Sequence, residues 1–199
     1  MNIFYTNHNP VICAQEHCDK HVIKQLLESV QLLSTAHRVL DGTEYVDSSS
    51  GRRIKRWKLD DPELDNLLYK VSHCNHPSAV WVRKGHENYE WLHSLLVELC
   101  KEYTFRYGKI HKCEYSGLVD ALHYLPFNIP VKLFSEPPAC MPDKYIVAGD
   151  AVASYQNYVR DGKQHIHSWK NRPVPYFIVE SDDESIAINT ASDYGIHLY

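Results

Sequence analysis

Six hydrogen-bonding side chains, His17, His21, Lys24, Glu28, Gln31 and Thr35, follow one another at steps of three and four residues. On a helix that spacing aligns them along one ridge. Glu28 carries the most chemistry: a carboxylate beside Lys24 and Gln31, within two turns of His21, can have its proton affinity tuned and serve as a general acid or base. The plainer reading of the same spacing is an exposed i,i+4 pair with Lys24, worth about 0.3–0.5 kcal/mol. His17 and His21 share the spacing of zinc-peptidase helices, but Lys20 stands where that motif has its general-base glutamate. No second ligand pair accompanies them, so neither a metal nor another cofactor is expected.

Two other groups mix aromatic faces with donors able to hold a planar base or a phosphate. The first is His76, Trp81, Arg83, His86, Asn88 and Tyr89, of which Arg83 and Asn88 are the more informative; the second is Lys163, Trp169, Lys170 and Arg172. Their plain readings are core packing and a surface strap. In addition, Arg52-Arg53-Ile54-Lys55-Arg56-Trp57-Lys58 places five positive charges and an indole in seven residues. That composition suits a loop meeting nucleic acid backbone and bases, or simply a solvated loop.

These residues need a scaffold, and composition describes one. The chain has 199 residues, 44% of them hydrophobic, and a formal charge of −4. One soluble globular domain fits, whereas disorder, collagen-like sequence and a membrane span do not. The first seven residues lack a basic or long apolar signal region, so an intracellular, cytoplasmic setting is expected. The six cysteines include no Cys-x-x-Cys pair and read as free thiols. Residues 178–199 carry Glu180, Asp182, Asp183, Glu184 and Asp193 without a Lys or Arg, which leaves +1 for residues 1–177. The expected organisation is therefore a mainly α domain over 1–177, with a weakly held acidic tail over 178–199.

Hydrophobic spacing places the elements. Residues 2–7 read as a short extended segment, and a helix follows from Pro10 to about Val39, stopped by Gly42, with Val22, Ile23, Leu26, Leu27, Val30 and Leu33 as its apolar stripe. Residues 42–59 read as a loop. Asp61-Pro62-Glu63 starts a helix carrying Leu64, Leu67, Leu68 and Val71. The longest helical region runs from Ala79 to Tyr107, with Gly108 as its cap and Gly85 as a point of kink or division. Ser116 is expected to cap a short helix through Leu125. Pro126, Pro130, Pro137, Pro138 and Pro142 then exclude a continuous helix, Asp150 caps another ending near Gly162, and Lys163 to Phe177 closes the body as an extended strap.

Three blocks in this order are familiar: Asp19 to Glu28, His76-Pro77 through Glu102, and Trp169 to Tyr176. They resemble the pyrimidine-dimer DNA glycosylase superfamily, of the phage endonuclease V type, and its small bacterial relatives. The resemblance implies a compact helical domain whose N-terminal segment runs to the active site, and a free α-amine that attacks the sugar C1′ with help from a glutamate. Glu28 matches that glutamate, and His21 matches a histidine of the same helix. This sequence departs at Asn2, whose bulk is expected to keep Met1 in place, and at Leu27 and Gln31, where the phage enzyme has arginines. Lys24 is then an alternative amine.

The expected function is a DNA-directed enzyme acting on a damaged or modified base, either glycosylase/lyase-like or base-modifying. In it Glu28 is the acid/base, His21 and Gln31 orient, and His76, Arg83, Asn88, Lys163, Trp169 and Arg172 hold the nucleotide. DNA or a nucleotide is the expected partner and a membrane is not. The second expectation is a non-catalytic phage or bacterial accessory protein that binds a nucleotide, nucleic acid or host protein.

Overall fold

Prolines and capping side chains set where three of the helices begin. Pro10, Pro62 and Pro77 stand in the first turn, where a missing N–H costs nothing, and Asn9, Asp61 and His76 accept main-chain N–H bonds as their caps. The computed structural model describes residues 1–179. Its described α-helices are α1 (Pro10–Glu16), α2 (Asp19–Asp41), α3 (Pro62–Leu67), α4 (Pro77–Val82), α5 (His86–Tyr107), α6 (Lys112–Tyr115), α7 (Leu118–Ala121) and α8 (Ala151–Gly162). Strands β1 (Thr43–Asp47) and β2 (Ile54–Lys58) form a small antiparallel hairpin.

The expected helix from Pro10 to Val39 is divided, because His17 and Cys18 are extended. Neither residue breaks helices by itself. The interruption lets Arg106, from α5, reach the Gln15 carbonyl and the Asp19 carboxylate, while the Asp19 N–H turns to the Ser168 carbonyl. Gly42 ends α2 as the spacing predicts, and Gly85 separates α4 from α5. Gly108 caps α5 in the left-handed conformation, with a φ of 64°, which a glycine adopts without strain. Asp150 caps α8 by accepting the Ala153 N–H.

Two expectations are corrected. The basic stretch expected as a loop is the hairpin, with Thr43 opposite Lys58 and Asp47 opposite Ile54. Opposite charges help to pair it: Lys55 lies 2.9 Å from Glu44, and Arg56 lies 3.8 Å from Asp47. Ser116 does not start a helix either. It closes α6, and Gly117, at a φ of 78°, turns the chain into α7. Residues 126–142 are irregular, as the prolines require.

The main core joins α2, α4 and α5 through Val22, Leu26, Val30, Leu33, Val82, Leu92, Leu95, Leu96 and Leu99, all buried. Ile23 and Leu27, expected on the apolar stripe, are exposed. A second cluster packs Phe4 and Tyr5 against Tyr155 and Val159 of α8 and against Phe177. No helix among the described residues is long and apolar enough to cross a membrane. The acidic tail, from residue 180 onward, lies outside the described residues, while Ile178 completes a 3-10 turn.

Candidate functional site

Residues 1–7 form neither helix nor strand, yet Ile3, Phe4, Tyr5 and Thr6 are buried, so the start of the chain is threaded into the fold. This brings Asn2 onto α2. The Asn2 main-chain N–H donates to Oε2 of Glu28 at 3.0 Å, and Nε2 of Gln25 donates to the same oxygen at 3.2 Å. Lys24 Nζ stands 3.5 Å from Oε1, and the Glu28 side chain is only 12% exposed. The carboxylate is thus fixed on both oxygens, at the edge of the core.

Asn2 is itself fixed by its side chain. Its Nδ2 donates to the Cys140 carbonyl at 2.8 Å, and its Oδ1 accepts the Ile3 N–H at 3.0 Å and lies 2.7 Å from the Tyr155 hydroxyl. That hydroxyl also lies 2.7 Å from the Pro138 carbonyl, so one buried phenol joins α8, the Pro-rich segment and the chain start. His76 completes the surroundings. Its Nδ1 accepts the Ser78 N–H, leaving Nε2 as the donor, and its pKa lies below the usual histidine range. Burial is the main cause, followed by the positive charges of the Met1 α-ammonium and of His73, with Glu28 opposing them. A fixed carboxylate, two amines and a neutral imidazole therefore share one neighbourhood, which suits nucleophilic attack by an amine with proton transfer nearby.

The rest of the polar ridge does something else. His21 is buried against Phe4, with ring centroids 4.0 Å apart, and its pKa is pushed down to about 3 by burial first and then by His17, Lys163, Lys24 and His167. It is a neutral ring inside the protein, two turns from Glu28, and not a neighbour of the carboxylate. His17 is buried as well, with Nδ1 2.6 Å from the Cys13 carbonyl and a pKa pushed down to about 4 by desolvation. Thr35 is buried beside Ser72, and Gln31 is half-buried one turn beyond Glu28. No three His, Cys, Asp or Glu side chains gather to hold a metal ion among the described residues.

Most of the expected nucleotide-holding residues bond within the fold. Arg83 donates to the Ala79 carbonyl at 2.9 Å. Asn88 is buried, donates to the Trp81 carbonyl and to Ser135 Oγ, and accepts the Ser135 N–H, so it clips the Pro-rich segment to α5. Trp169 donates to the Glu16 carbonyl, and Lys163 lies over the Tyr158 ring. Arg172 pairs with the buried Glu102 at 2.8 Å and stacks over Phe105. The fold thus gathers Lys24, Glu28 and His76 around the chain start, and uses Asn88, Trp169 and Arg172 as clasps. Arg52, Arg53, Lys55, Arg56 and Lys58 sit together on the hairpin.

Sequence reading missed Cys140 and Tyr155 as the residues that hold Asn2 beside Glu28. Their signal is weak, since they meet only through contacts up to 153 residues apart. No family model matches the chain, and neither does any curated protein or solved structure.

Proposed function

We propose that this chain is a DNA-directed enzyme that acts on a damaged or modified base through an amine, in the manner of a glycosylase/lyase, with Glu28 as its acid/base. The observation that carries the reading is the 3.0 Å bond from the Asn2 N–H to Glu28, which holds the start of the chain against the carboxylate. In the reaction, a neutral amine, the α-amine of Met1 or Nζ of Lys24, forms a bond to C1′. The bond from C1′ to the base breaks, and the base leaves with its electron pair and takes up a proton. The C1′–O4′ bond then breaks as the nitrogen lone pair forms the iminium, O4′ takes up a proton, and the Glu28 carboxylate stabilises the positive charge while it relays protons. His76, kept neutral chiefly by burial, serves as a second proton carrier. The basic hairpin supplies sequence-independent attraction for phosphates.

Borohydride trapping tests the reading. Wild-type protein and Glu28→Gln are mixed with duplexes carrying abasic, pyrimidine-dimer and modified-pyrimidine sites, and released nucleosides are read by mass spectrometry. A trapped adduct in wild type that is lost in Glu28→Gln is the expected result, and its peptide map names Met1 or Lys24. An altered nucleoside without an adduct identifies base modification on the same site. Neither signal on any substrate removes the enzymatic reading and leaves a binding protein.

A further inference from the structure

Asp41 closes α2, and its carboxylate accepts three N–H groups from the chain after Pro126: the main-chain N–H of Phe127 at 2.8 Å, that of Asn128 at 2.9 Å, and Nδ2 of Asn128 at 3.0 Å. Nδ2 of Asn128 also reaches the Leu40 carbonyl. This clamp fixes the backbone of Phe127, which is 92% exposed among the described residues. Gly42 follows Asp41 and Thr43 opens β1, so the ring stands at the root of the basic hairpin. Lys55 and Arg56 have acidic partners across the hairpin; Arg52, Arg53 and Lys58 have none among the described residues. Tyr124, 74% exposed, and Leu125 line a depression of about 460 Å³ that also presents Glu90, His93, Ser94 and His123.

At both ends the hairpin carries cations that have no partner among the described residues: Lys58 at its root, paired with Thr43 near the backbone-clamped Phe127, and Arg52 and Arg53 at its tip. It therefore fits a flexible polymer that repeats one negative charge and one flat aromatic face and can start on the ring and run along the strands. We propose that Phe127 and the depression at Tyr124 form a base-docking platform for an unpaired strand of nucleic acid, whose phosphates run from Lys58 at the root of the hairpin to Arg52 and Arg53 at its tip. One base stacks on Phe127 and a neighbouring base enters the depression, where Glu90, His93 and His123 offer donors and acceptors to its edge. The platform rests on the nucleic-acid reading of the hairpin and is independent of the chemistry at Glu28.

The test uses the full chain and a labelled single-stranded 12-mer, followed by fluorescence anisotropy between about 50 and 200 mM salt, with inorganic polyphosphate as a ligand that has charge but no bases. Phe127→Ala, at an exposed position that leaves the fold intact, should weaken the oligonucleotide about tenfold and leave polyphosphate unchanged. Arg52→Ala with Arg53→Ala should weaken both ligands and lower the logarithmic salt slope by about 1.4. Equal oligonucleotide affinity for wild type and Phe127→Ala overturns the platform while the nucleic-acid reading of the hairpin stands. No binding by wild type at the lowest salt overturns both. Self-association in sedimentation that Phe127→Ala abolishes would also overturn it, assigning the ring to a contact between two copies.

Discussion

The main-chain nitrogen of Asn2 and the Glu28 carboxylate, 3.0 Å apart, join the first residues of the chain to the middle of its longest described helix. Glu28→Gln keeps an oxygen that can accept this N–H and changes little in volume. Its unfolding free energy in urea should therefore lie within about 1 kcal/mol of wild type, while adduct formation is lost. A large loss of stability would show that the carboxylate serves mainly to hold the fold.

Asn2→Ala should behave in the opposite way. It removes the amide that reaches the Cys140 carbonyl and the Tyr155 hydroxyl, so the carbonyl loses that donor and the hydroxyl keeps only its contacts with Pro138 and Cys140. The expected cost is about 1–3 kcal/mol, read by urea unfolding. Tyr155→Phe, which deletes the hydroxyl shared by Asn2 and the Pro138 carbonyl, should cost less in the Asn2→Ala background than in wild type, because one of its bonds is already gone.

Arg38 is fully buried and directs its N–H groups to the carbonyls of Trp57, Asp65, Leu68 and Tyr69 and to the Asp65 carboxylate. It ties α2 to the hairpin and to α3. Arg38→Ala should cost about 3–5 kcal/mol, measured by thermal unfolding. Arg38→Lys should rescue little, because an ammonium cannot reproduce the planar fork of donors.

Glu16 is buried, with one carboxylate oxygen lacking a partner among the described residues, and desolvation raises its pKa from 4.5 to about 7. The folded state holds this proton more tightly than the unfolded chain. The resulting stability is complete below pH 4.5 and is lost as pH rises through about 7. Glu16→Gln should gain on wild type by at most roughly 3 kcal/mol between pH 4.5 and pH 8. The same melting difference at both pH values would refute this. His17 and His21 act in the other direction: with folded pKa values of about 4 and about 3 against 6.5, their contribution is present above pH 6.5 and lost as pH falls. Wild type should therefore be most stable near pH 6.5, since below that value two histidines outweigh one glutamate.

Much of the fold was legible where a residue acts locally. Gly42, Gly85 and Gly108 end or divide helices, and Asp61 and Asp150 start them, because each effect depends on one backbone turn. The division at His17 was not legible, because Arg106 and Ser168 impose it from distant positions. The hairpin gave no alternating pattern, because it rises from the surface and most of its strand residues are exposed or half-buried. Lys24 and Glu28 keep the surface edge that the ridge predicts. His21 does not, because Phe4 covers it from a segment whose docking the helix itself does not encode.

The separation between Asn2 and Tyr155 has a consequence for synthesis. At about 5–20 residues per second, on the order of ten seconds pass between the translation of these two residues. During that interval Phe4 and Tyr5 wait for α8 and Phe177, the late-made half of their packing. The segment around Asn2 therefore locks late, and the neighbourhood of Glu28 is complete only after α8 has been made.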